Sequence, residues 1–226
     1  MGVWWTYRLE DLLLFSPRVY ERLFALHNQA LWPFQLVALA GGLAVLWYLP
    51  RPAPAGRRLI PLLLGLAWLW VGWSFLWQRY ATINWAMVYV APAFWLEGLG
   101  LLGLAAFRRG LPLRVGTRRP WFAATLFAVV LLGYPLLAPV AGRPWSSAAL
   151  LGIMPDPTVV GTLAVLGVAV GRERWWLLPI PLLWCLLTGI TLWGLGRWDW
   201  FVAPTGALLA CLLPLASRHA ATSVSP

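Results

Sequence analysis

The sequence has no lysine, only two histidines and two cysteines, and only 11% of its 226 residues are charged. A soluble domain carries about 25% charged residues, so this chain has too little polar surface to cover a water-soluble globule. Its hydrophobic fraction of 61% excludes an intrinsically disordered chain. Cys185 and Cys211 both lie in apolar runs, with no Cys-x-x-Cys pair and no Cys/His cluster. That pattern excludes a disulfide scaffold and a structural zinc site. No His-rich, Ser/His/Asp or paired-acid motif marks an enzyme, so the expectation is a non-enzymatic protein without metal or cofactor.

What is present is hydrocarbon. The mean hydropathy is +0.74 and there are 18 tryptophans. A helix needs about 20 mostly apolar residues to cross about 30 Å of lipid core. Seven candidate spans meet or approach that length: Ala30–Leu49, Leu59–Trp77, Trp85–Phe107, Pro120–Pro139, Thr158–Val170, Trp175–Leu195 and Trp200–Ala216. The fifth is the shortest, and a re-entrant or tilted course for it would change the topology. Most tryptophans fall near span ends, where amphipathic rings favour the membrane interface. Trp70, Trp73, Ser74 and Trp77 read as a packing stripe on the second span.

The expected fold is therefore all-α and polytopic, with about seven transmembrane helices. Its divisions are an N-terminal interfacial segment (1–29), a membrane domain (30–217) and a short polar tail (218–226). Ser16-Pro17 reads as a helix start, with Ser as N-cap and Pro at the first helical position. From there Tyr20, Leu23, Phe24, His27 and Leu31 repeat at helical spacing opposite Arg18, Glu21 and Arg22, as in an amphipathic interfacial helix. The acids and arginines ahead of the first span speak against a cleavable signal peptide.

The net charge of +10 would suggest nucleic acid in a soluble protein. Sorted by loop, it becomes a topology signal instead. Eleven arginines (51, 57, 58, 108, 109, 114, 118, 119, 172, 174 and 218) fall on one side with only Glu173 against them. The other side holds Arg8, Arg18, Arg22, Arg79, Arg143 and Arg197, balanced by Glu10, Asp11, Glu21, Asp156 and Asp199. The positive-inside rule then places the N-terminus outside and the C-terminus in the cytoplasm. The partners implied are the bilayer and its anionic lipids, not nucleic acid; a homo- or hetero-oligomer is compatible with the same surface.

Spans one to three and five to seven are candidate copies in a parallel 3+1+3 arrangement. Pro33 matches Pro157, Pro61 matches Pro181, and Asn84-Trp85 with Pro92 matches Asp199-Trp200 with Pro204. Such repeats in transporters enclose a midplane site.

Glu97 is the one acid inside a long apolar run, about twelve residues into the third span. A carboxylate there is costly unless it faces the bundle or finds a partner. Cys185, Cys211, Thr188 and Thr205 fall at similar depth, so with Glu97 they form a candidate transport or ion site. The bland alternatives are a neutral, hydrogen-bonded Glu and two inert buried thiols. On the outer side His27, Asn28, Gln78, Arg79, Tyr80, Asn84, Asp156 and Asp199 form a candidate vestibule, against the alternative of interfacial anchors and helix caps.

Several segments carry a family likeness: Trp5-Thr6-Tyr7-Arg8, Leu14-Phe15-Ser16-Pro17-Arg18-Val19-Tyr20, Asn28 with Trp32-Pro33, and Trp77-Gln78-Arg79-Tyr80-Ala81-Thr82-Ile83-Asn84-Trp85. Together they resemble a bacterial family of small Trp-rich multi-span membrane proteins known only as a domain of unknown function. Pro155-Asp156-Pro157-Thr158 also fits, but that place reads Pro-Cys-Pro-Thr in the family, so a thiol role there does not carry over to Asp156. The likeness implies a bacterial inner-membrane protein and supplies no activity. The leading expectation is a small-solute or ion transporter or channel with a midplane site near Glu97. The second is a non-transporting scaffold or accessory subunit of a membrane complex.

Overall fold

The structure, a computed structural model, describes residues 15–51, 53–107, 110–113 and 119–212. The first 14 residues, the tail 218–226, and Arg108, Arg109, Arg114 and Arg118 lie outside the described residues. So does the whole motif Trp5-Thr6-Tyr7-Arg8.

Nine α-helices follow one another among the described residues: α1 (Pro17–Ala30), α2 (Phe34–Tyr48), α3 (Pro54–Val71), α4 (Met87–Phe107), α5 (Arg119–Val140), α6 (Pro155–Leu166), α7 (Glu173–Leu177), α8 (Pro179–Gly194) and α9 (Val202–Leu212). The only extended pairing described is an isolated bridge between Leu113 and Ala169. Four stretches are long and apolar enough to cross a membrane: Pro54–Thr82, Met87–Phe107, Pro120–Val140 and Glu173–Gly194. A fifth arises if α1 and α2, bent by 92° at Trp32-Pro33, count as one broken span.

Seven full spans are thus not what these helices provide one by one. Helix α2 has 15 residues, α6 has 12 and α9 has 11 in its described part. The repeat is not confirmed either. The helices it would equate differ in burial: α2 buries only Gly42 and Val45, whereas every residue of α6 is buried.

Helix α1 forms as its sequence predicts. The Ser16 hydroxyl accepts from the Val19 amide at 3.4 Å and Pro17 sits in the first turn. Its apolar face buries Tyr20, Leu23, Phe24 and His27. That face does not lie on lipid alone. Phe24 meets Phe75 edge-on at 5.2 Å, and Tyr20 packs on Tyr80 at 5.5 Å, so α1 is clamped across one end of the bundle. This end, which also carries the loops around residues 80, 143 and 198, is called the α1 end below.

Helices α3 and α4 form the tightest pair. Small residues recur every seven positions on the facing stripes, Gly65 and Gly72 on α3 and its extension, Ala91, Gly98 and Ala105 on α4. Small residues at heptad spacing let helix backbones approach in a lipid-surrounded bundle. The approach is close enough that a Cβ on Gly65 would stand 2.9 Å from the Gly98 carbonyl oxygen, and a Cβ on Gly98 would stand 2.9 Å from that of Gly65. Past Val71 the helix widens into a π-helical turn, Gly72–Trp77. The wider turn splits the expected tryptophan stripe: Trp73 and Trp77 are exposed while Ser74 is buried.

The fifth candidate span departs most from an ordinary helix. Residues 151–169 are buried without a break. At about 1.5 Å per residue, α6 is only about 18 Å long, short of the lipid core. Ahead of it the chain descends from the α1 end as irregular backbone (148–154), and α6 begins inside the bundle against α3, α5, α8 and α9. Gly152 makes the turn at φ +79°, a left-handed value that side chains disfavour. At the opposite end, Val170 donates to Pro112 and Leu111 donates to Arg57, tying the loops together.

Replacing Gly65 or Gly98 with valine should overpack the α3–α4 seam and cost about 1–3 kcal/mol. Gly103→Ala, where an added Cβ meets nothing within 4 Å, should leave stability unchanged. Thermal unfolding of the purified variants in one detergent checks the contrast.

Candidate functional site

The expected midplane group does not gather around Glu97. Glu97 is 2% exposed on α4, and its Oε1 has no hydrogen-bond partner among the described residues. Thr188 on α8 turns instead to Asp156, its hydroxyl 3.2 Å from Oδ2. Cys185 is buried on α8 and lies within electrostatic reach of Cys211 and of Asp156. Thr205 is exposed on α9. No three His, Cys, Asp or Glu side chains among the described residues are placed to hold a metal ion.

The expected vestibule residues divide into two sets. His27 is buried with its ring edge-on to Phe75 at 5.2 Å. Asn28 donates through Nδ2 to the carbonyls of Ser146 (2.8 Å) and Ala148 (2.9 Å), which pins the descending loop to α1. Asn84 accepts from the Ala86 amide at 3.2 Å, and the Arg79 carbonyl accepts from the Thr82 hydroxyl at 2.7 Å. Gln78 is exposed, and Tyr80 fills the aromatic cluster under α1. These residues shape turns and hold α1 in place.

Asp156 and Asp199 belong to the second set, which lines a polar cavity at the α1 end. Tyr20, Tyr134, Arg143, Ser147 and Arg197 complete its polar wall, and apolar side chains form the rest of the lining. Its free volume of about 30 Å³ is room for one or two water molecules. Asp156 occupies the first turn of α6 and is buried. The Trp184 indole N–H donates to its Oδ1 at 2.8 Å, and Thr188 to its Oδ2. Tyr134, 7% exposed, brings a hydroxyl that has no partner among the described residues.

One part of this cavity's wall is an ion-pair network. Arg197 grips Asp199 in a two-pronged contact, Nε to Oδ1 at 2.9 Å and Nη2 to Oδ2. Arg143 donates to the same Oδ2 at 3.1 Å and to the Leu137 carbonyl at 3.3 Å. Glu21 of α1 stands 3.8 Å from Arg197 and 4.0 Å from Arg143. Two guanidiniums and two carboxylates thus neutralise each other, and Asp156 is left without an ion-pair partner of its own. Burial alone would raise the Asp199 carboxyl, but the Arg197 hydrogen bonds and the charges of both arginines outweigh it and hold it below the usual carboxylate range. The Arg143 guanidinium shifts the other way, lowered by burial and by Arg197 beside it.

Tyr134, Trp184 and Glu21 were not among the expected site residues. The signal for Tyr134 was present: it is one of two hydroxyl side chains in α5, with Thr125, and lies between Gly133 and Pro135. Arg143 and Arg197 were legible only as loop charges on the side poorer in arginine.

The chain belongs to a family of unknown function (DUF6064), whose model matches residues 18–222. Neither the curated proteins nor the solved structures contain a match.

Because the Asp199 pKa is lower folded than unfolded, its pairing stabilises the protein above about pH 4 and the stability is lost as pH falls through the folded value. Asp199→Asn should cost about 1.5–3 kcal/mol at neutral pH, since it removes the charge-assisted hydrogen bonds and leaves only Glu21 facing the two guanidiniums, and should flatten the acid limb. Melting curves of both proteins between pH 7 and pH 3 test it.

Proposed function

We propose that the protein is a transporter or channel for a small ion or solute, entered from the α1 end, with Asp156 at the bottom of the entry path. The observation that carries this reading is the start of α6. A helix that begins inside a membrane bundle, behind unwound backbone, beside a buried carboxylate and a polar cavity, is the usual construction of a transport site. A purely structural span has no need of it. The cavity restricts what can reach Asp156 to species the size of water.

In this reading α2, α6 and α9 complete four long spans to seven crossing segments, α6 together with its descending loop. The α1 end faces outward and the arginine-rich loops face the cytoplasm, in line with the positive-inside rule. Glu97 remains a second buried carboxyl. It lies one turn beyond Phe94, and Phe94 meets Trp184 edge-on at 5.0 Å. The Asp156–Trp184–Phe94 contacts thus lead from the outer cavity toward the middle of α4.

Flux in proteoliposomes loaded with a pH-sensitive or ion-sensitive dye tests the reading. Asp156→Asn should lose flux, by a factor of about ten or more, and Glu97→Gln should reduce it or flatten its pH dependence. Flux that is absent from the wild type, in protein that co-purifies with a fixed partner, would favour a scaffold or accessory subunit instead.

A further inference from the structure

We infer that Asp156 exchanges a proton with the α1 end of the bundle through water seated at the Tyr134 hydroxyl. This deepens the transport reading and rests on it only for its consequence, since proton exchange at Asp156 is measurable without any flux.

Three features of the site select the proton over other small species. The first is size: about 30 Å³ admits water and little else. The second is the state of Asp156. Both carboxylate oxygens already receive a donor, Trp184 at 2.8 Å and Thr188 at 3.2 Å. A metal cation needs several oxygen ligands in its first shell and would have to displace these donors. It would also sit in a cavity whose wall includes two guanidiniums. A proton needs neither space nor a shell. An anion, in turn, would meet the Asp156 carboxylate itself. The third feature is Tyr134. Tyr134 lines the cavity, and its hydroxyl is more than nine-tenths buried and has no partner among the described residues. A hydroxyl both donates and accepts, so it can orient one water between itself and Asp156.

The exchange balances simply. An outer hydronium gives its proton to the cavity water. That water gives one of its protons to Asp156 Oδ2, so an O–H bond breaks on the water and one forms on the carboxyl. Thr188, which donates to Oδ2 in the ionised form, rotates to accept from the new hydroxyl, while the indole of Trp184 keeps donating to Oδ1. No electrons move. The groups facing Asp156 are Tyr20 of α1, Tyr80 of the turn after α3, Tyr134 of α5 and Cys185 of α8, with Arg197 and Asp199 from the loop before α9. Arg197 and Asp199 are paired with each other, which leaves Asp156 as the acid of this group that no arginine pairs among the described residues.

The test is infrared difference spectroscopy of the full-length protein in lipid nanodiscs, stepped between alkaline and acidic pH. The expected result is a protonated-carboxyl C=O band that is lost in Asp156→Asn and kept in Glu97→Gln. Trp184→Phe, which leaves every charge in place, should shift the same band by removing the bond to Oδ1. This variant decides the matter if Asp156→Asn does not fold. Tyr134→Phe should keep the band but slow its shift after transfer to D₂O. Identical difference spectra for wild type, Asp156→Asn and Trp184→Phe would overturn the inference. So would a carboxylate signal that responds to sodium or potassium at fixed pH, which would mark a metal-cation site. A titrating Asp156 band in protein that carries no flux sustains the proton site and sinks the transport reading. Flux that is lost in Asp156→Asn, in a wild type that shows no pH-dependent Asp156 band, does the reverse.

Discussion

The segment 151–169 is buried along its whole length, and the rest of the bundle is arranged to meet that constraint. Backbone polar groups inside a membrane protein must be satisfied by the protein itself. Helix α6 does this internally, and in the irregular turn before it the Ile153 and Met154 amides donate to the Leu150 carbonyl. The Thr158 side chain satisfies two further groups of the turn. The Gly152 amide donates to Thr158 Oγ1 at 2.8 Å, that hydroxyl donates to the Met154 carbonyl at 2.7 Å, and Thr162 repeats the motif one turn on, to the Thr158 carbonyl. The indole of Trp68 on α3 then donates to Thr162 at 2.8 Å, and Asn28 on α1 holds the loop where it enters. Four surrounding helices and α1 are therefore fixed by the needs of one enclosed segment.

The same enclosure sets the electrostatics. Two arginines near the α1 end would be costly to bury alone. Asp199 pairs with both, and Glu21 reaches across from α1 to complete a neutral network. The network lines the cavity without using Asp156. A buried acid that is hydrogen-bonded but not ion-paired is a poor stability device, because its charged form lacks compensation. Its position in the first turn of a helix that starts inside the bundle gives it partial support from the helix dipole. It also places it where entering water can reach it.

Much of the frame was legible in the sequence. The Ser16-Pro17 start, the buried face of α1 and the long helices α3, α4, α5 and α8 follow from capping chemistry and apolar length. What escaped was relational. A helix that is apolar all round gives no periodic signal, so nothing in Thr158–Val170 marks it as the central element rather than a weak span; the tell-tale was its shortness. Glu97 stood out because it interrupts a long apolar run. Asp156 read only as one of eight vestibule candidates, or a helix cap, because the burial of residues 151–155 depends on helices far away in sequence. The heptad glycines of α3 and α4 were visible in the sequence, but only their mutual approach shows that they match.

The two buried carboxyls differ in the way that matters for chemistry. Glu97 is enclosed where α4 packs against its neighbours, with one oxygen unpartnered among the described residues and no wall of the polar cavity. Asp156 has both oxygens bonded and a cavity beside it. An isolated acid in a packed core has no route for the proton that would neutralise or charge it, except through local opening of the fold. An acid beside a water-sized cavity has such a route in the ground state. Depth in the membrane, the property that singles out Glu97 from the sequence, is therefore weaker evidence of a working site than access. Access is a property of the helix break at 148–154, and it belongs to Asp156.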